Sequence, residues 1–206
     1  MSQKLFTIGH SRHALPRFLD LLKMHQISAV GDVRSTPYSR MNPHFSREPL
    51  RRELKRHNIA YVFLGEELGG RSSDPSCYDA EGRVQFDRIS DTEDFQRGLR
   101  RIREGMQHHR IALMCAEKDP LTCHRTILVC RHLRKEFDLS IVHILDDGQV
   151  EHHEECERRL LKLARKEQGD LFKSFYEQLE EAYDYQGLRI AYQMKPEKER
   201  RGLYED

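Results

Sequence analysis

The stretch Ile111-Ala112-Leu113-Met114-Cys115, continued by Ala116-Glu117-Lys118-Asp119-Pro120-Leu121-Thr122 and Cys123-His124-Arg125, decides how the chain is read. A short apolar run bounded by polar residues reads as a buried strand. Asp-Pro is a helix-start signal, because proline's fixed φ suits a first helical turn. Cys115 is therefore expected to end a strand. Cys123-His124-Arg125 is expected to open a helix, and the helix started by Pro120 to continue through Ile127, Leu128, Cys130 and Leu133 to about Phe137. Two thiols, an imidazole and a guanidinium then share one strand-to-helix junction, beside helix N–H groups and the positive end of the dipole. That setting suits thiolate chemistry or an anion.

On the amino-terminal side, Lys4–Gly9 reads as a first strand, followed by a helix with Pro16 in its first turn and Leu15, Phe18, Leu19 and Leu22 on one face. Ser28–Val33 is a second strand, Ser46 an N-cap for a helix to about Asn58, and Ala60–Leu64 a third strand. From Glu66 to Ser90 the pattern breaks into Gly, Ser, Asp and Pro, a long loop of the kind that is usually functional. Asp91 is expected to cap the helix carrying Phe95, Leu99, Ile102 and Met106, and Ser140–Leu145 to form a last strand closed by Asp146-Asp147-Gly148. The expected fold is α/β: a single doubly wound, mainly parallel sheet of about five strands, with helices on both faces and a helical C-terminal extension. Residues 1–150 would form the sheet domain. Residues 151–206 would form the extension, in which Cys156, Leu160 and Leu163, then Phe172, Phe175, Leu179 and Ala182, make two apolar stripes, with a frayed tail after about residue 196.

A chain of 206 residues can build one good core. Its net charge of +1 excludes a globally basic nucleic-acid binder while leaving room for a local patch. No apolar run approaches the roughly 20 residues of a membrane helix, so a soluble, cytoplasmic protein with no membrane partner is expected. Five cysteines, an odd number set among apolar and helical patterns, read as free thiols.

Parallel α/β sheets bind ligands beyond the carboxyl ends of their strands. The residues that follow the strands are His10, Ser11 and Arg12; Asp32, Arg34 and Ser35; the Gly65–Arg71 loop; Cys115 to Arg125; and Asp146 with Asp147. Arg12, Arg34 and Arg125, delivered by separate loops, point to an anionic ligand, because a guanidinium recognises phosphate or carboxylate bidentately. The plainer alternative pairs Arg34 with Asp32, or Arg125 with Glu117, in internal salt bridges.

Cys115 admits three readings. It could be a small buried hydrophobe; a nucleophile or redox thiol activated by His124 or an arginine, with Cys123 as its partner; or a metal ligand together with Cys123 and His10, His124 or His143. The Cys115–Cys123 spacing is neither Cys-x-x-Cys nor a zinc-knuckle pattern, so no metal ligand is assigned, no cofactor is expected, and a metal ion ranks last. Nine residues separate Cys115 from Arg125, too many for the phosphate-cradling loop of a cysteine phosphatase. Cys130 and Cys156 fall on apolar helical positions and read as core. Arg40, Arg47, Arg51, Arg52, Lys55 and Arg56 read as a solvated face, or else as a track for a phosphate backbone with Tyr38 and Phe45 stacking on bases.

Thr7-Ile8-Gly9-His10-Ser11, Asp32-Val33-Arg34-Ser35-Thr36-Pro37-Tyr38-Ser39, Leu68-Gly69-Gly70, Cys115-Ala116-Glu117-Lys118 and Cys123-His124-Arg125 together resemble the uncharacterised family numbered 488 among the domains of unknown function, from about Leu5 to Gly148. The resemblance implies an α/β domain with these motifs as its signature and names no reaction. The expectation is an enzyme acting through Cys115, with Cys123 beside it and Asp32 or His124 carrying protons. His10, Ser11, Arg12, Arg34, Ser35 and Arg125 would bind a phosphate-bearing substrate, a nucleotide or nucleic acid. A non-catalytic nucleic-acid-binding or adaptor module, and a metal-dependent enzyme using the same cleft, are the alternatives; the oligomeric state stays open.

Overall fold

A computed structural model of the chain describes residues 4–164 and 172–194. Within them six strands, β1 (Lys4–Gly9), β2 (Ala29–Asp32), β3 (Ala60–Phe63), β4 (Ile111–Cys115), β5 (Ser140–Ile144) and β6 (Val150–His152), form one sheet in the order β3-β2-β4-β1-β5-β6. β1 to β5 run parallel, and β6 returns antiparallel to β5. The protein is thus α/β, as its sequence implies, with one strand more than expected. β6 arises because Asp146-Asp147-Gly148 is a hairpin turn: Gly148 takes φ +96°, and Leu145 N–H donates to the Gln149 carbonyl at 2.9 Å.

The side-chain alternation of the strands divides the core into two layers. Ala112 and Met114 of β4 pack with Phe18 and Leu22 of α1 (Leu15–Met24) and with Leu50 and Leu54 of α2 (Arg47–Arg56). Ile111, Leu113 and Cys115 face the opposite way, toward Phe95, Leu99 and Ile102 of the helix Glu93–Gly105 and Leu133 of the helix Arg131–Phe137. At about 1.5–3 kcal/mol for each fully buried large apolar side chain, a one-residue register slip in β4 would forfeit both layers at once.

Three local expectations are corrected. Residues 66–90 are not one loop: α3 (Gly65–Leu68), a 3-10 turn at Pro75–Cys77 and α4 (Phe86–Ser90) lie there. The cap of α5 (Glu93–Gly105) is Thr92, whose Oγ1 accepts from Phe95 N–H, and not Asp91. The segment after β4 does not run as one helix from Pro120. Pro120–Thr122 is a single 3-10 turn capped by the Asp119 carboxylate, Cys123 is extended (φ −134°, ψ 137°), and Arg125–Cys130 winds as a π-helix before α6 (Arg131–Phe137) begins. The inward spacing of Ile127, Leu128, Cys130 and Leu133 survives this winding, which is why periodicity alone did not reveal it.

α7 (His153–Leu163) and α8 (Phe175–Ile190) bury Leu160, Leu161, Leu179 and Tyr183 against Leu121 and Ile127. A polar chain joins them to the sheet: Thr7 Oγ1 to His143 Nδ1 at 2.8 Å, His143 Nε2 to His153 Nδ1 at 3.0 Å, and His153 Nε2 to Tyr183 Oη at 3.0 Å. It ends where the Tyr183 hydroxyl donates to Glu157 at 3.2 Å. Each ring uses both nitrogens, so the buried polar atoms are paired. The expected tail after residue 196 lies outside the described residues.

Candidate functional site

Because β4 lies between β2 and β1, the carboxyl ends of these three strands are neighbours, and the residues following them meet. Backbone bonds carry the register past the strand ends: His10 N–H donates to the Cys115 carbonyl (2.9 Å), Ser11 N–H to Ala116 (2.9 Å) and Val33 N–H to Met114 (3.1 Å). Gly9 is required at this crossing, since a Cβ there would lie 1.9 Å from the Glu117 carbonyl oxygen. A cleft of about 590 Å³ opens above, with His10, Arg34, Cys115 and His124 toward its base and Tyr38, Arg71 and Tyr192 among its walls.

Cys123 stands where a helix N-cap would. Its backbone is extended, its carbonyl accepts the first helical bonds from Thr126 and Ile127, and its sulfur accepts the Arg125 N–H at 3.4 Å, the role a Ser or Asp oxygen usually fills. This turns Cys123 back toward Cys115. His124 completes the group: its Nε2–H donates to the Val33 carbonyl at 2.9 Å, which leaves Nδ1 facing the Cys115 sulfur at 3.8 Å. Gly70 makes room for the ring, for a Cβ there would lie 2.9 Å from His124 Cγ. The sulfurs of Cys115 and Cys123 and a ring nitrogen of His124 all lie within 4.8 Å of one another, close enough together to hold a metal ion.

Arg125 is fully buried, and its guanidinium donates to the carbonyls of Glu117 (2.7 Å) and Lys118 (3.2 Å). Among the described residues it has no carboxylate in ion-pair contact. A buried cation is costly to desolvate, and two neutral carbonyls leave its charge without a counter-charge, so a negative sulfur beside it is stabilised. Burial alone would push both thiols up. For Cys123 the bond from the Cys115 thiol, the Arg125 charge and His124 outweigh burial and bring it well below the usual thiol range, while Cys115 is pushed up by burial and by the neighbouring Cys123 sulfur. The two share a proton, and the pair carries one negative charge more readily than two. His124 is raised: burial works against its charge, and contact with the Cys123 sulfur prevails.

Arg34 lies against the same base but is held by Asp32, by the Phe45 carbonyl (2.9 Å) and by His10 Nε2 (3.2 Å). His10 donates through Nδ1 to the Ser11 carbonyl and stacks on Phe45, with ring centroids 4.4 Å apart. Burial, then the Arg34 charge, hold the His10 ring neutral with a pKa pushed down to about 4.

The structure therefore brings Cys115, Cys123, His124, Arg34, His10 and Ser35 together. Asp32 is buried behind Arg34 and also accepts the Tyr61 hydroxyl at 2.7 Å, so it does not reach the sulfurs. Ser11 and Arg12 do not line the cleft, and Arg12 is exposed to solvent. The basic run of α2 points outward; Arg51 and Arg56 face Glu48 and Glu53 on their own helix, and Arg47 lies over the Phe63 ring at 4.5 Å. Sequence reasoning placed the Cys115–Arg125 segment and the Gly65–Arg71 loop at this rim but gave Glu117 and Arg71 no role in the cleft, and it missed Tyr192. Glu117 is raised by its partly desolvated position and by the Cys123 sulfur; Arg71 lies over the Tyr192 ring at 4.2 Å, and Tyr192 itself follows α8. Gly69-Gly70 before Arg71 was the available signal for the second, whereas nothing local marks the third.

A mainly parallel sheet with two thiols and an imidazole at the joined ends of three strands defines an α/β protein with a thiol-bearing cleft. The profile of the family described as "Domain of unknown function DUF488" matches residues 14–131, more than half of the chain, and the chain belongs to that family. The match takes in β2, β3, β4 and the Cys123-His124-Arg125 turn; the His10 loop and the α8 wall lie outside it. No curated protein and no solved structure matches the chain.

Proposed function

We propose that this protein is a thiol-dependent enzyme that acts through Cys115 on a phosphate-bearing substrate such as a nucleotide. The carrying observation is the Cys115 sulfur at the cleft base, 3.8 Å from His124 Nδ1 and with Cys123 behind it. Cys115, which holds the proton that the two sulfurs share, passes it to His124 Nδ1, and its electron pair forms the bond to the electrophilic atom. The leaving group departs with the old bonding pair and takes a proton from Glu117, whose raised pKa suits that donation. Arg71 and the Ser35 hydroxyl meet the anion, since Arg12 lies outside the cleft, Arg125 is spent on carbonyls and the Thr122 hydroxyl is spent on the Asp119 carbonyl. Tyr38, which is 69% exposed, and Tyr192 offer faces for a planar base. A reducing cytoplasm would keep the five thiols free.

The test is competitive alkylation of the reduced, chelator-treated protein, with each cysteine followed by peptide mapping. Cys115 is expected to label first, and one nucleotide from a panel to protect it. Labelling of Cys115 no faster than that of the core residues Cys130 and Cys156 would remove the nucleophile.

A further inference from the structure

We infer that Cys115, Cys123 and His124 form a binding site for a thiophilic divalent cation, Zn2+, held by two sulfurs and His124 Nδ1 with its fourth position open to the cleft. Four features of the geometry point there. The three ligand atoms lie within 4.8 Å of one another, and Cys115 Sγ to His124 Nδ1 is 3.8 Å. Bond lengths of about 2.3 Å to sulfur and 2.0–2.1 Å to nitrogen put the ligands of a filled tetrahedral zinc site about 3.5–3.8 Å apart, so closure needs a contraction of no more than about 1.3 Å.

The imidazole is already fixed as a ligand. Its Nε2–H is tied to the Val33 carbonyl, the outer hydrogen bond that orients metal-bound histidines and leaves the other nitrogen's lone pair free. The Arg125 N–H on the Cys123 sulfur does the same for a thiolate. Cys115 and His124 line the cleft, whereas Cys123 does not, so an ion seated on the three meets the cleft on the Cys115 and His124 side and has Cys123 behind it. Three protein ligands and one open position are the arrangement of catalytic, not structural, zinc. On binding, both thiols end as thiolates, and the protons they still carried are released to solvent as the metal–sulfur bonds form.

The functional consequence rests on the thiol reading above. If Cys115 is the reacting sulfur, Zn2+ withholds it, and metal supply becomes a reversible brake on the same cleft.

The experiment is a Co2+ titration of the full, reduced, chelator-stripped chain, followed by Zn2+ displacement. Expected are the strong visible and near-ultraviolet bands of tetrahedral thiolate-bound cobalt at one ion per chain, lost on adding one equivalent of Zn2+. Cys123→Ser and His124→Ala should abolish the bands and weaken Zn2+ by more than the roughly 10–100-fold that loss of an outer partner costs, while Cys156→Ala keeps both. Should the site variants fail to fold, the wild type alone decides, because Zn2+ must then suppress Cys115 alkylation in the peptide map. Absence of cobalt bands, or bands unchanged in folded Cys123→Ser and His124→Ala, overturns the site. Fast Cys115 labelling untouched by Zn2+ removes the metal and keeps the nucleophile; cobalt bands with a sluggish Cys115 do the reverse.

Discussion

The Arg34 guanidinium is gripped by the Asp32 carboxylate through two hydrogen bonds, Nε to Oδ1 at 2.8 Å and Nη2 to Oδ2 at 2.6 Å, with both side chains buried at the end of β2. Removing one member strands the other's charge away from water. Asp32→Asn is expected to lower unfolding stability by about 3–5 kcal/mol, read from the urea midpoint, whereas the double change Asp32→Leu with Arg34→Met should cost clearly less. Equal losses in both would show that the pair is not what holds this corner.

The two glycines beneath the site fail differently when filled. At Gly70 an added Cβ meets the His124 ring, which can tilt; at Gly9 it meets the Glu117 backbone oxygen, which cannot move without β1 parting from the turn after β4. Gly70→Ala should cost about 1–3 kcal/mol, the usual range for overpacking, and slow Cys115 alkylation, while Gly9→Ala should cost more and disturb folding itself. Thermal denaturation beside alkylation kinetics separates the two, and an alkylation rate unchanged in Gly70→Ala would detach the ring position from thiol reactivity.

Arg125→Met removes a buried charge of similar volume and leaves the Glu117 and Lys118 carbonyls without their donor. A stability loss of about 2–4 kcal/mol is expected, partly restored by Arg125→Lys, whose ammonium can reach one carbonyl. Faster amide hydrogen exchange confined to residues 116–119 in the Met variant would report the loosened turn. Unchanged exchange there would mean that Arg125 does not hold it.

The histidine chain beneath α7 and α8 sets an acid limit. Burial, then the Arg134 charge, lower the pKa of His153 to about 4, and burial also lowers His143. The folded state keeps these rings neutral, while the unfolded chain takes up protons below about pH 6.5, so this share of stability is complete above pH 6.5 and is lost as pH falls toward 4. His153 alone accounts for roughly 3 kcal/mol across that window, at 1.36 kcal/mol per unit. His153→Gln should therefore flatten the stability curve between pH 6.5 and 4 relative to wild type. A parallel curve would assign the acid limit elsewhere, since His10 has the same direction and His124 the opposite one.

Much of this was legible because parallel strands and polar strand ends are local signals. Gly9-His10, Asp32 to Ser35 and Cys115 each end an apolar run, and the sheet order then brings three of those ends side by side. What a guanidinium does there was legible only in part: the plainer alternative, Arg34 paired with Asp32, is the one seen, whereas Arg125 meets the Glu117 backbone and not its carboxylate. Arg34 and Arg125 read as anion ligands, yet the first has a carboxylate two residues away and the second two carbonyls in the preceding turn, contacts that depend on backbone direction. The π-helix keeps the apolar spacing of an α-helix, and β6 has three residues, too few for a pattern. Tyr192 reaches the cleft only because α8 returns over the Arg125–Cys130 segment, a long-range contact with no local trace.

That returning segment has one more consequence. Val84 N–H donates to the Tyr192 carbonyl at 2.9 Å, and Arg83 and Gln193 form an isolated bridge, so the strand leaving α8 is stitched to the hairpin between Tyr78 and Val84. The doorway to the sulfur is thus built from two pieces of chain that the family profile does not span together. Members that share the profile but end their last helix differently would keep the same reactive floor behind a different threshold, and so admit different guests.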